Sequence, residues 1–155
     1  MFVTLTMSNF SLLSRFRQWI ESADIYLRPS QKIIGRWLLF EYYTEPADEL
    51  INVKEGKLIQ NKLFCEIEFH SPGLLNQSSN LEVNFLEDVE LYNWRLSGNF
   101  LILSYPRDTS KNEKLQYSLQ KNCLKLLKKD INGKIIFFGF FRKQMEDNEI
   151  TVTKK

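Results

Sequence analysis

The sequence predicts a mainly β fold: an eight-stranded up-and-down antiparallel β-barrel with one N-terminal amphipathic α-helix packed outside it. Three observations predict it. Turn-forming residues cut the chain into eight short β-like runs. The last two runs flank Asn132-Gly133, a pair suited to the positive φ angles of a type I′ hairpin, so strands fold back on their sequence neighbours. An even strand number lets the last run pair with the first in antiparallel sense and close a cylinder.

Size and composition fit one such domain. The 155 residues are 43% hydrophobic and 14% aromatic, enough for a single core. Twenty-one basic residues against nineteen acidic ones leave a net charge of +2, without the electrostatic footprint of a nucleic-acid binder. Lys121, Lys125, Lys128, Lys129 and Lys134 scatter around one hairpin and read as a solvated face. Cys65 and Cys123 lack metal-ligand spacing, and one pair makes no disulfide framework, so free thiols in a reducing compartment are expected. Residues 1–14 carry no early positive charge and no apolar run of signal-peptide length. No stretch reaches the ~18 apolar residues of a membrane span. A cytoplasmic location is expected, with residues 1–10 flexible, Met7 an alternative start, and 144–155 a polar tail.

Residues 11–28 carry the helix. At about 100° per residue, Leu12, Phe16, Trp19, Ile20, Ala23, Tyr26 and Leu27 fall on one face, opposite Arg17, Gln18, Glu21 and Ser22. Ser8, Asn9 or Ser11 caps its start, and Pro29 stops it by disfavouring helical geometry at Arg28. So short a helix is barely stable alone. It is expected to dock on its own barrel; the alternative, a membrane surface, is weakened by its acidic residues.

Strands follow at 33–43, 63–70, 81–86, 89–96, 100–105, 114–119, 123–128 and 134–142. Ser97-Gly98-Asn99 and Gln120 to Asn122 supply tight connections. Leu63, Cys65, Ile67 and Phe69 alternate with Glu66, Glu68 and His70, giving one buried and one wet face. The first and last strands break this rule. Trp37 and Leu39 share one face while Leu38, Phe40 and Tyr42 occupy the other, and Ile135 to Phe141 is apolar on both. If closure makes these strands neighbours, their outer surface is one apolar patch that the N-terminal helix covers. A homodimer or protein interface there is the competing explanation. Residues 44–62 are long for a connection without local structure. Pro46 to Leu50 suits one helical turn and Lys57 to Asn61 an extension of the following strand, the whole crossing one barrel mouth as a lid.

At Ile33-Ile34-Gly35-Arg36-Trp37 and at Trp94-Arg95-Leu96-Ser97-Gly98-Asn99-Phe100-Leu101, the chain resembles the small bacterial lipocalin-like domains of the calycin superfamily. Those domains open with Gly-x-Trp and often carry a mid-chain Trp, a Gly-Asn turn and an apolar strand. The resemblance spans residues 33–143 and implies a ligand-holding barrel without naming the ligand. Lipocalins tend to set a last-strand arginine over the Gly-x-Trp tryptophan, which implies a closed end built from Gly35, Trp37, Trp94 and Arg142. Two features depart from the pattern: many bacterial relatives are exported or lipid-anchored, and lipocalins proper pack a C-terminal rather than an N-terminal helix outside the barrel.

Alternation sorts the expected interior into two layers. Trp37, Phe69, Leu81, Trp94, Leu96, Leu101, Leu119, Leu124 and Phe140 plug one end. Toward the 44–62 loop lie Leu39, Glu41, Tyr43, Leu63, Cys65, Phe85, Tyr92, Leu103, Tyr105, Tyr117, Leu126 and Phe138, an apolar set with a few hydroxyls and one carboxylate, as in a small-molecule pocket. Glu41 either orients a ligand's amine or hydroxyl or reaches solvent at the rim. His70 stands alone, and Cys65 lies on the opposite face of its strand, so neither a metal site nor a Cys-His pair is expected. No phosphate loop or serine-nucleophile elbow is present, and no cofactor is implied. The leading expectation is a non-catalytic binding module holding a small, mainly apolar ligand in the barrel mouth. The alternative is an interaction or structural protein with a side-chain-filled barrel, working through the outer face of its first and last strands, the helix or the tail. An isomerase or hydrolase would need Glu41 beside a tyrosine hydroxyl.

Overall fold

A computed structural model describes residues 28–83, 85–86 and 91–145. The helix expected at 11–27 and the flexible start at 1–10 lie outside the described residues, as does the tail from 146. The chain divides into a unit ending at Lys32 and one beginning at Ile33. Of the first, one helical turn is described, α1 (Pro29–Lys32), where the Gln31 and Lys32 N–H groups donate to the Arg28 carbonyl.

The second unit is a barrel. Its elements are β1 (Gly35–Thr44), β2 (Ile51–Val53), α2 (Glu55–Gln60), β3 (Cys65–His70), β4 (Leu74–Ser79) and β5 (Leu91–Ser97). They continue with β6 (Phe100–Ser104), β7 (Glu113–Gln120), β8 (Cys123–Lys129) and β9 (Ile135–Lys143). Apart from the short β2, each strand pairs antiparallel with its sequence neighbours, and β9 pairs with β1 to close eight strands into a ring. Turn chemistry explains the meander. Gly98 takes φ +57° at the first position of the two-residue β5–β6 loop, where a type II′ turn needs glycine. At Asn132-Gly133 only the glycine has positive φ, +85°. The loop is therefore a three-residue one rather than the expected type I′ pair, with Gly133 N–H donating to Asp130 O and the Asp130 carboxylate accepting from the Asn132 and Lys134 N–H groups.

Two expectations fail here. The described residues of 81–86 are not a strand; the third barrel strand is β4, which turns back directly after Ser71-Pro72-Gly73 and pairs Phe69 with Leu75 and Cys65 with Ser79. Its run Asn76-Gln77-Ser78-Ser79 is wholly polar, so an apolar-alternation search passes over it, whereas Leu81, Val83 and Phe85 alternate without forming a ladder. Leu81, expected in the closed-end plug, instead follows the mouth end of β4, its N–H donating to Ser79 Oγ. The 44–62 connection does have local structure, but of another kind. Pro46–Leu50 holds a turn instead of a helical turn, β2 pairs with the last residues of β1 (Tyr42 opposite Val53), and residues 55–60 form α2 instead of lengthening β3. Val53 and Leu58 are buried, which seals the gap where β3 leaves β1.

The core lies inside the ring. Its closed end holds Trp37, Phe69, Trp94, Leu101, Leu124 and Phe141. Both indoles are satisfied, Trp37 Nε1 donating to Ile33 O at 2.8 Å and Trp94 Nε1 to His70 O at 3.0 Å, and the Phe69 and Trp94 rings meet edge to face. Among the described residues, no helix is long and apolar enough to cross a membrane.

Candidate functional site at the barrel mouth

A β-bulge decides which side chains reach the mouth. Along the β1–β9 seam Leu39 faces Phe141 and Glu41 faces Phe140, so Phe40 is an extra residue and every side chain beyond it changes face. Trp37 and Leu39 point inward as expected, but then Tyr42 is the buried residue. Glu41 and Tyr43, expected inside, are outside. Glu41 Oε2 accepts from Asn52 Nδ2 at 3.0 Å, and the Tyr43 ring lies 6.1 Å from Phe138 and 6.0 Å from Phe140.

Strand β9 is apolar on both faces, and a glycine sets its phase. Phe137, Gly139 and Phe141 are buried inward, so Phe138 and Phe140, expected inside, are on the outer face. A Cβ on Gly139 would sit 2.3 Å from Phe137 Cε2 and 3.0 Å from Leu39 Cδ1, so only glycine leaves room for the Phe137 ring to lie across the strand. The same phase corrects Arg142. Its guanidinium lies outside, 4.4 Å from the Phe40 ring centroid and paired with Glu55 at 3.0 Å. The cation over Trp37 is Lys143, its Nζ 5.6 Å from the ring centroid. Gly35, at φ +130°, makes way for that lysine: a Cβ there would meet Lys143 Cε at 3.0 Å.

Of the remaining residues expected at the mouth, Leu39, Cys65, Phe85, Tyr92 and Leu103 are buried. Tyr105 and Tyr117 are half-buried; Tyr105 lies beyond the end of β6, 6.5 Å from the Tyr92 ring, and Tyr117 sits opposite Leu126. Phe85 reaches the interior from the non-strand segment. It stacks on Phe137 at 4.0 Å and 12°, and Phe137 stacks on Tyr42 at 5.5 Å and 25°. Lys128 Nζ donates to the Phe85 carbonyl at 3.0 Å and pairs with Glu113 at 2.9 Å. Lys128 therefore does not belong to a solvated face; its side chain and that of Glu113 are only 19% and 11% exposed. Sequence reasoning missed this pair although the signal was present, since Lys128 is in phase with Leu124 and Leu126, and Glu113 with Leu115.

Burial pushes the Cys65 thiol up to about 12, opposed by a hydrogen bond with Ser79 and reinforced by the Glu66 charge, so it stays a thiol at neutral pH. Burial, then the Glu82 charge, raises the Tyr42 hydroxyl; burial raises that of Tyr117. His70 points away from Cys65, its Nε2 3.2 Å from Glu68 and 3.3 Å from Asn76. Among the described residues, no group of three or more His, Cys, Asp or Glu side chains is placed to hold a metal ion.

Fold and mouth together define a small closed meander barrel with an aromatic side chain from a loop seated in its interior. The chain matches no family model, no curated protein and no solved structure.

Proposed function

We propose that this protein is a non-catalytic interaction module in which the barrel is a solid scaffold and the outer surface does the work. One observation carries the reading. Cys65, Phe69, Leu75, Tyr92, Leu101, Leu103, Leu124, Leu126, Phe137 and Phe141 span both layers of the interior, and each is at most 1% exposed. A void wide enough for even one water molecule would leave accessible surface on such side chains, and a ligand pocket is commonly ~300 Å³ or more. Outside, Phe40, Tyr43, Phe138 and Phe140 form a continuous half-buried aromatic face across the closing seam, with Arg142 over Phe40 and Lys125 over Phe140. Aromatic clusters flanked by cations are what protein-binding surfaces favour. Glu41, the one carboxylate considered as a base, is engaged by Asn52 on the outer face, which supports a role without catalysis. In this reading the barrel is lipocalin-like, with Gly35 and Trp37 opening it and Lys143 taking the arginine's place. Its free thiols suit a reducing, cytoplasmic setting.

A second reading is favoured by Phe85. No ladder holds that ring, so a flat apolar ligand that displaced it would stack on Phe137 with the Lys128 ammonium alongside. Native mass spectrometry of protein purified without denaturation separates the two. The interaction reading expects the bare chain mass and association that weakens on Tyr43→Ser or Phe138→Ser. A co-purifying small molecule that is lost on Phe137→Ala supports the second reading and overturns the first.

A further inference from the structure

Phe85 engages the barrel mouth in two ways at once. Its ring lies 4.0 Å from the Phe137 ring at 12°, with Phe141 tilted at 6.5 Å, while its carbonyl accepts from Lys128 Nζ at 3.0 Å. Ring and carbonyl are joined through two tetrahedral carbons, Cβ and Cα. Phe85 thus sits in the mouth as a 3-phenylpropanoyl group would, with an apolar slot for the ring and one placed donor for the oxygen, the usual make-up of a small-molecule site. Its hold on the barrel is limited. It belongs to no ladder, and among the described residues Lys128 supplies the one hydrogen bond that Phe85 makes.

Charge decides what else would fit. Lys128 is already neutralised by the Glu113 carboxylate at 2.9 Å, in a pair that is mostly buried. Glu82 adds a further negative charge on this side, acting on the Tyr42 hydroxyl, and the Tyr42 ring stacks on Phe137. A ligand carboxylate would set two negative charges against one half-buried ammonium, which poorly solvated surroundings penalise. A bare arene would fill the slot but leave a Lys128 N–H without its acceptor. An uncharged carbonyl, like that of Phe85 itself, satisfies the N–H and adds no charge.

We propose that the mouth takes a neutral 3-arylpropanoyl group, as an amide or ester, in place of Phe85, with the aryl ring on Phe137 and the carbonyl oxygen on Lys128. This rests on the second reading above, in which a flat ligand displaces the Phe85 ring, and it makes Phe85 the ligand's internal competitor. The test is NMR titration of the full chain with 3-phenylpropanamide, 3-phenylpropanoate and toluene. The amide should bind the parent protein about ten-fold or more tighter than either the acid or the arene. Glu113→Gln leaves Lys128 without its carboxylate and should reverse the order, strengthening 3-phenylpropanoate at least about ten-fold. A merely structural role for Glu113 would move all three ligands alike. Phe85→Ala, which removes the competing ring, should tighten toluene on the order of 10- to 100-fold. Lys121→Gln, at the opposite end of the barrel, should change nothing. The spectra of each variant report its fold. Equal binding of the three ligands, or an order that Glu113→Gln does not alter, would overturn this inference and leave the displaced-ring reading standing. No binding of any of the three to the parent protein would overturn both.

Discussion

Gly139→Ala is expected to be among the most damaging single-methyl additions in this protein. The new Cβ would lie 2.3 and 2.4 Å from two atoms of the Phe137 ring and 3.0 Å from Leu39 Cδ1. Phe137 has no free direction to move: it is fully buried, with Phe85 stacked at 4.0 Å and Tyr42 at 5.5 Å. Forcing extra volume into a packed core costs about 1 to 3 kcal/mol, and turning the ring out instead forfeits burial worth about 3 to 5 kcal/mol. A loss of about 2 to 4 kcal/mol follows, readable as a lower urea midpoint at unchanged slope. The double variant Gly139→Ala/Phe137→Leu should show coupling, costing at least ~1 kcal/mol less than the sum of the single changes, because the clash is between those two residues. If Gly139→Ala stays within about 0.5 kcal/mol of the parent protein, Gly139 faces outward and the phase assigned to β9 is wrong.

Three further outcomes are expected. Glu113→Ala should destabilise by about 3 kcal/mol, since it strands the Lys128 ammonium in the barrel wall; Glu113→Leu/Lys128→Met should recover most of that loss in chemical denaturation, since replacing both charges leaves neither unpaired. Cys65 should resist a thiol reagent at pH 8 in the native protein and react once urea unfolds it. The raised thiol also links to stability: the unfolded group ionises near its ordinary value of 9.0 while the folded one holds its proton to about 12. Its contribution is thus complete below pH 9 and declines between 9 and 12, a decline that Cys65→Ala should abolish. Arg142→Met should cost no more than ~1 kcal/mol, because both its Glu55 pair and its Phe40 contact lie on the outer surface.

Different parts of this structure are legible in the sequence for different reasons. Chain reversals are local, so Ser97-Gly98-Asn99 and Asn132-Gly133 mark hairpins that the ladder contains, and the meander and its closure follow from them. Strand β4 is hidden because its polar run Asn76 to Ser79 gains its place by hydrogen bonding to β3 rather than by burial. Face assignments failed where periodicity has no purchase. The bulge at Phe40 moves Tyr42 inside and Glu41 and Tyr43 outside, and a one-residue insertion in a ladder leaves no mark where large apolar or aromatic side chains occupy both faces, as in Leu38, Leu39, Phe40, Tyr42 and Tyr43. In β9 both phases bury phenylalanines; only the Gly139 gap distinguishes them, and its meaning appears once the Phe137 ring is placed. Lys128 and Glu113 were in phase with the interior but carried the residue types of a surface, so composition outweighed pattern.

The claim on which the rest depends is that this barrel is filled by its own side chains, with Phe85 as the innermost ring of the mouth. Crystals of the full chain pressurised with xenon test it directly, because xenon enters dry apolar cavities and marks them in the diffraction map. The filled barrel predicts no xenon within the ring of strands in the parent protein and a single site beside Phe137 in Phe85→Ala. Xenon between Leu39, Tyr92 and Leu103 in the parent protein would contradict it and point to a pocket there.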